Sequence, residues 1–232
     1  MTETNESGFY SSYSQFKSYA TPTLKKKHIR QFDHEFWLAT SCRTDMRVLE
    51  IGCGRGLFLS YLRYKGVRSF VGIDQDPLLA DVIPESVKDN FRAIDVDDYL
   101  SAAPPCEPLD RIVLYDVVEH LDYQTGAVVL TRLSQQLASD GQILIRVPNM
   151  SSPWGGQYQF GDITHKAAYN PSSMRQLAIA CGLQCVSCFP EMRGRRGRRI
   201  LEGCLHGLLD RVLVSPPEIW TGNFLAILMK PA

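Results

Sequence analysis

The run Glu50-Ile51-Gly52-Cys53-Gly54-Arg55-Gly56 holds the residues whose types and spacing point most directly to chemistry. Three glycines free a tight turn of side chains and let a ligand lie against backbone N–H groups. A dinucleotide site would read G-x-G-x-x-G with its phosphate on a helix N-terminus. Here the spacing is G-x-G-x-G, and a carboxylate, Glu50, stands two positions before the first glycine. That charge would repel a pyrophosphate but suits a ligand carrying positive charge, which favours S-adenosylmethionine over NAD. Asp74 closes the next apolar run, where a carboxylate can accept hydrogen bonds from both ribose hydroxyls. Asp95, followed by Val96, closes the one after, where the acid and the next amide can read an adenine edge. A Gly-rich turn alone is a weak sign, but three such features at successive strand ends are hard to obtain by chance.

A sulfonium is a strong electrophile, so transfer of its methyl group mainly requires an aligned nucleophile and, for a hydroxyl, somewhere for the proton to go. Tyr115-Asp116-Val117-Val118-Glu119-His120 follows a strongly apolar stretch on the same ligand-facing edge. His120 could be a general base near working pH, or equally a histidine packed under the loop. Farther on, PNMSSPWGGQYQFGDITHKAAYN is too polar and Gly-rich for core. Asp162 and His165 lie three apart in it, with Trp154, Tyr158 and Phe160 as a possible aromatic wall for the apolar face of a sugar. An Asp–His pair there can orient a sugar hydroxyl and accept its proton. The competing assignment has Asp162 capping a turn and His165 capping the next helix.

These residues need a scaffold, and the chain supplies one. A helix over about 24–39 places Ile29, Phe32, Phe36 and Trp37 near one face. From Arg47 onward short β-branched runs alternate with helical stretches: VLEIG, SFVGID, FRAIDV, LDRIVLYDVV, QILIRVP, LQCVSCF and NFLAILMK are the candidate strands. Such alternation indicates a parallel sheet covered on both faces. Asp95 and Val96 are placed at the end of the third strand, and the helix TGAVVLTRLSQQLASDG runs to Gly141. The expected fold class is α/β, a Rossmann-like doubly wound seven-stranded sheet, mostly parallel with an antiparallel last strand. Residues 1–45 are expected to form an N-terminal helical extension or lid in which Tyr10, Tyr13, Phe16 and Tyr19 recur every three positions. Residues 46–232 form the main domain, with a substrate loop at 148–171 and a basic, apolar insertion at 191–215.

At these motifs the sequence resembles the class I S-adenosylmethionine-dependent methyltransferases. VLEIGCGRG, VGID, AIDVDD and LDRIVLYDVVEHL are similar to that family's first four motifs. The resemblance implies cofactor contacts at Glu50, Gly52, Gly54, Gly56, Asp74, Gln75, Asp95, Val96 and Tyr115. It implies S-adenosyl-L-methionine as cofactor, S-adenosyl-L-homocysteine as product, and no metal. It does not specify an acceptor. The motifs NPPY and DPPY, which stack planar amines or bases in N-methyltransferases, are absent after the fourth strand, which favours O-methylation. GDITHKAAYNPSSMRQLAIACGL further resembles a segment of methyltransferases from cell-surface polysaccharide biosynthesis clusters. That resemblance makes His165 the first candidate base, His120 the second, with Asp162 beside them, and makes the acceptor a sugar or glycan hydroxyl. The alternatives are a small aromatic or quinone-type metabolite, and a cofactor-binding regulator without catalysis.

Composition sets the outer bounds. The chain has 232 residues, with 25 basic against 25 acidic, ordinary for a globular protein with a sizeable core. No apolar run is long enough to span a bilayer and the N-terminus lacks a signal-peptide core, so a cytoplasmic location is expected. Seven cysteines at irregular spacing read as reduced thiols. Cys185 and Cys188, three apart in a strand, should point to opposite faces, which argues against a metal site. Net neutrality conceals segregation, because acids crowd the stretch from Asp74 to Asp110 while Arg193 to Arg199 holds five arginines in seven positions. That cluster leads into Leu201, Leu205, Leu208, Leu209 and Val212 at helical spacing. The pattern suits an anionic membrane surface or a lipid-linked, phosphate-bearing substrate, and equally a solvated loop before a packed helix. Without interleaved aromatics, nucleic acid is disfavoured.

Overall fold

The structure is a computed structural model that describes residues 20–102 and 107–231. The four aromatics of the expected lid lie outside the described residues. Helix α1 (Lys26–Phe32) continues into a π-helical turn (Asp33–Leu38), which buries Phe32, Glu35 and Phe36. The sheet follows: β1 (Arg47–Ile51), β2 (Ser69–Asp74), β3 (Phe91–Ala93), β4 (Leu109–Tyr115), β5 (Leu137–Pro148), β6 (Gln184–Pro190) and β7 (Asn223–Met229). Between the strands lie α2 (Leu57–Lys65), α3 (Val96–Ser101), α4 (Tyr123–Gln136), the short α5 (Gly156–Gln159), α6 (Pro171–Ala180) and α7 (Arg196–Val212). Strand order is β3-β2-β1-β4-β5-β7-β6, with β7 antiparallel to both of its neighbours. This is the expected doubly wound α/β sheet, mostly parallel with an antiparallel last strand.

Alternation along the strands builds two cores. In β4, Ile112 and Leu114 face α4 and α6, whereas Val113 and Tyr115 face α1 and α2. Both faces are covered, so every residue of β4 except Asp110 is buried, as in a parallel strand sandwiched by helices. Helix α4 shows how the sequence makes its elements. Asp122 caps it by accepting the Thr125 amide at 2.8 Å, and Gly126, Val129, Leu130 and Leu133 bury one stripe at the helical period.

Three local expectations are corrected. Asp95 does not end β3. It is the N-cap of α3, accepting the Asp97 amide at 2.7 Å, and Val96 is the first residue of that helix. The short side chain of an aspartate competes for nearby amides, which favours a cap over a strand end. Helix α4 stops at Gln136 rather than at Gly141, because β5 begins at Leu137 and a register shift opposite Leu109–Arg111 absorbs the intervening residues. An irregularity between Cys185 and Ser187 in β6 shifts the alternation, bringing the Cys185 and Cys188 sulfurs to 3.6 Å. A bulge adds one residue to one strand, so side chains three apart can share a face.

The chain leaves β1 toward β2 and β3 on one side, then returns through β4 and β5 on the other. The carboxyl ends of β1 and β4 therefore flank the point where strand order reverses, the crevice in which open α/β sheets bind ligands.

Candidate active site

The turn after β1 is built for close approach. Gly52, Gly54 and Gly56 have φ of 66°, 51° and 75°, a region costly for residues with a Cβ. At Gly52 a Cβ would also stand 2.5 Å from Cγ2 of Val117, so the glycine loop is packed against the exit of β4. The Gly54 amide donates to Asp74 Oδ2 at 2.9 Å, and the Asp76 amide donates to Oδ1 at 3.1 Å. Asp74 thus braces the turn with its carboxylate at the end of β2; burial raises its pKa, against these amides. Glu50 is buried on β1, and its Oε2 has no hydrogen-bond partner. Burial, then the charge of Asp74, raises its pKa well above the usual carboxylate range. A buried acid in that condition is an unmet demand for a donor or a cation.

Gln75 is exposed beside Asp74. Tyr115 is 9% exposed, and its ring is packed against Phe32 and Phe58 in the core on the α1–α2 face. Its hydroxyl has no hydrogen-bond partner. Asp95 and Val96 sit at the start of α3, with the carboxylate engaged in its cap. The structure therefore brings Glu50, the three glycines and Asp74 together around one turn.

A second cluster sits where β4 ends. Asp116 takes φ of 56°, an unusual conformation for a non-glycine residue, held by a two-point contact of its carboxylate with Arg146. Arg146, on β5, also lies 3.8 Å from Glu35 and 3.5 Å from Glu191, with its guanidinium over the Tyr115 ring. Burial alone would lower the Arg146 pKa, but Asp116, Glu191 and Glu35 reverse that and raise it. Burial pushes the Glu35 carboxyl up to about 7, against the opposing pull of Arg146 and the Met192 amide.

The short turn Val118–His120 follows. The Glu119 carbonyl accepts the Lys166 amide at 2.7 Å and the Ala167 amide at 3.1 Å. This fastens residues far along the chain to the end of β4 and brings His165 against His120, ring centroids 4.5 Å apart and edge to face. The Thr164 hydroxyl donates to Asp162 Oδ1 at 2.6 Å and lies 2.9 Å from His120 Nδ1. A hydroxyl has one proton, so with that proton on Asp162 the imidazole Nδ1–H is the donor to Thr164. His165 Nδ1 is 3.0 Å from the Gln159 carbonyl, which can only accept. Both rings are thereby set with Nδ1 protonated and the lone pair on Nε2. Burial disfavours the charge of Asp162, but the Thr164 hydroxyl and amide outweigh it and keep its pKa low.

Asp162 does cap a turn, through the Thr164 amide at 3.0 Å, while the next helix, α6, is capped by Asn170 rather than by His165. Trp154, Phe160 and Ile163 are exposed on the same stretch, and Tyr158 lies under the Arg193 guanidinium. The loop that carries them is fixed to the segment before β7. Asn149 Nδ2 donates to the Ile219 carbonyl at 2.7 Å, and Ser152 Oγ donates to the Trp220 carbonyl at 2.6 Å.

Sequence reasoning assigned no role to Glu119, Arg146 or Asp116. Glu119 is buried, with Oε2 unpartnered, and one donor atom each from Glu119, His120 and His165 falls within 4.8 Å of the other two. Glu119 and His120 are adjacent in the sequence, but only the fold shows that His165 joins them.

A sequence model of a family described as a methyltransferase domain matches residues 23–188. No curated protein matches the sequence. Among solved structures, an S-adenosylmethionine-dependent methyltransferase from Archaeoglobus fulgidus is 24% identical with a TM-score of 0.65, covering 88% of this chain and 92% of that one. One described in the same terms from Clostridium acetobutylicum is 10% identical at TM-score 0.60, covering 96% and 99%. The O-methyltransferase NcsB1 of neocarzinostatin biosynthesis, solved with S-adenosylmethionine and 2-hydroxy-5-methyl naphthoic acid, is 13% identical at TM-score 0.58. That match covers 88% of this chain and 56% of NcsB1.

Proposed function

The chain belongs to the methyltransferase-domain family, and from that premise we propose that it transfers the methyl group of S-adenosylmethionine to a hydroxyl of a sugar or glycan precursor. The observation that carries this reading is the placement of two sites at one sheet edge. One is the glycine turn with buried, unpartnered Glu50; the other is the His120–His165 pair beyond Val117.

In this reading the glycine turn and Asp74 hold the nucleoside part of the cofactor, and the carboxylate of Glu50 attracts its cationic part. The acceptor oxygen attacks the methyl carbon in line with the sulfur. The O–C bond forms, the C–S bond breaks with its electrons returning to sulfur, and the hydroxyl proton passes to the imidazole of His165. His165, with His120 beside it, activates the hydroxyl, while Asp162 fixes the ring of His120 through Thr164. The exposed Trp154 and Phe160 offer faces on which a sugar ring can stack. The same faces would suit an aromatic acceptor, the second reading, and the naphthoic acid in NcsB1 is an example in a protein of similar fold.

Helix α7 favours a lipid- or phosphate-linked form of the acceptor. None of its residues is buried, and Arg195, Arg196, Arg198 and Arg199 gather at its start, against the helix dipole. An anionic surface would relieve that arrangement. Among the described residues no helix is long and apolar enough to cross a membrane; in this reading α7 makes a peripheral contact, at the cytoplasmic face.

Incubation of the full chain with isotopically labelled cofactor and a panel of nucleotide sugars, lipid-linked glycans and phenols, read by mass spectrometry, tests the assignment. A labelled sugar O-methyl product is expected; label on the phenols alone transfers support to the second reading, and label on nothing defeats both. His165→Ala should retain cofactor binding and lose turnover by ~100-fold or more, the range of general acid–base contributions. Unchanged turnover would remove His165 from the site.

A further inference from the structure

We propose that Glu119, His120 and His165 form a divalent-cation site on the acceptor side of the cleft. The inference rests on the methyltransferase reading and deepens it, because it assigns how the acceptor hydroxyl is activated.

Three observations converge. One ligand atom from each of the three residues lies within 4.8 Å of the other two, close enough for a single ion to reach all of them at ordinary bond lengths of about 2.0–2.2 Å. Both imidazoles keep Nδ1 protonated, which leaves Nε2 as the nitrogen able to bind a metal. His165 Nδ1 donates to the Gln159 carbonyl and His120 Nδ1 donates to Thr164, whose own proton is on Asp162. Such outer contacts fix the ring and direct the Nε2 lone pair, as around metal-bound histidines generally. Glu119 is 1% exposed and its Oε2 has no hydrogen-bond partner. A buried carboxylate oxygen without a hydrogen-bond partner, in a group of three residues whose ligand atoms converge, is an arrangement that a cation satisfies.

Two imidazoles and one carboxylate suit Mn²⁺, Fe²⁺, Co²⁺ or Zn²⁺ better than Mg²⁺ or Ca²⁺. Three protein ligands leave positions open for the acceptor oxygen, whose proton becomes more acidic once coordinated and passes to water. With the cation bound the histidines are its ligands, so His165 is no longer the proton acceptor but is still required for turnover. The cation departs from the sequence expectation of no metal, and the reason is topological: His165 reaches Glu119 only through the backbone bonds of Lys166 and Ala167.

The test uses chelator-stripped full-length protein titrated with Co²⁺ and followed by its visible absorption, with S-adenosylmethionine binding measured on the same samples. One Co²⁺ per chain is expected, bound at least tenfold more weakly in Glu119→Gln and in His165→Gln, with cofactor binding retained in both. A Cys185→Ser, Cys188→Ser double variant should bind Co²⁺ as the wild type does. Absence of Co²⁺ binding, equal affinity in the Glu119 and His165 variants, or loss of binding in the double cysteine variant would overturn the site. Co²⁺ binding without cofactor binding would uphold the cation site and sink the methyltransferase reading; cofactor binding without Co²⁺ would do the reverse. Where methyl transfer is measurable, it should be lost on chelation and restored by Mn²⁺ or Co²⁺.

Discussion

Glu50 and Glu35 are both acids forced into the interior, and they differ in what answers them. Glu35 has Arg146, the Met192 amide at 2.8 Å and Gln31, whereas Glu50 keeps one oxygen without a partner. A carboxylate kept unsatisfied at the cleft is well suited to a cationic ligand. Glu50→Gln should therefore weaken S-adenosylmethionine by roughly 10–100-fold, the worth of one charge-assisted hydrogen bond; an unchanged dissociation constant would take Glu50 out of the site. Glu35 makes a stability prediction. Its carboxyl titrates at about 7 in the folded chain against an ordinary 4.5, so between those values the folded state binds more protons than the unfolded one. Stability then falls as pH rises through that window, by on the order of 3 kcal/mol at about 1.4 kcal/mol per pH unit. Glu35→Gln should flatten this dependence in denaturant titrations run from pH 4.5 to 7.5, and an identical slope would contradict the account.

Among the elements, α7 is held by the wrong side for an ordinary surface helix. His206 stacks on Trp220 with rings 8° from parallel, and the Trp220 indole N–H donates to Asp210 at 2.8 Å. At 100° per residue that face is opposite the stripe Leu201, Leu205, Leu208 and Val212, whose members are exposed. An apolar stripe turned outward beside a cluster of arginines fits an anionic bilayer surface. The chain should float with liposomes containing anionic lipid and remain behind with zwitterionic ones. Leu205→Glu with Leu208→Glu should abolish flotation without lowering thermal stability, since neither side chain is buried. Flotation that persists in that variant would refute the surface. The sequence showed this amphipathic spacing but could not show which face the domain used. The strands were the most legible elements, because β-branched apolar runs leave little choice. Less legible were elements decided by one local contact: the cap that moves Asp95 from strand to helix, and the bulge that turns Cys185 toward Cys188.

For the whole molecule, the parallel order of β1 and β4 converts distant residues into one site. The glycine-turn part of the proposed cofactor half was legible in the sequence because Glu50 to Gly56 is contiguous, a strand end, a turn and a helix start within a few residues. The proposed acceptor half was legible only in part. His120 and His165 were identified singly, but their meeting depends on the Glu119 carbonyl binding the Lys166 and Ala167 amides, and Arg146 gathers Asp116, Glu35 and Glu191 from separate elements. Neutral overall charge likewise resolves into a basic helix start and an acidic stretch that is spread over the fold, with Asp74 at the cleft but Glu107 and Asp110 beside Arg47 at the amino ends of the strands. The methyl-transfer assignment depends on the cleft taking a sulfonium cofactor. Isothermal titration of S-adenosylmethionine into the full chain tests that most directly. A saturable isotherm with one site per chain is predicted; no heat of binding at millimolar cofactor would contradict it.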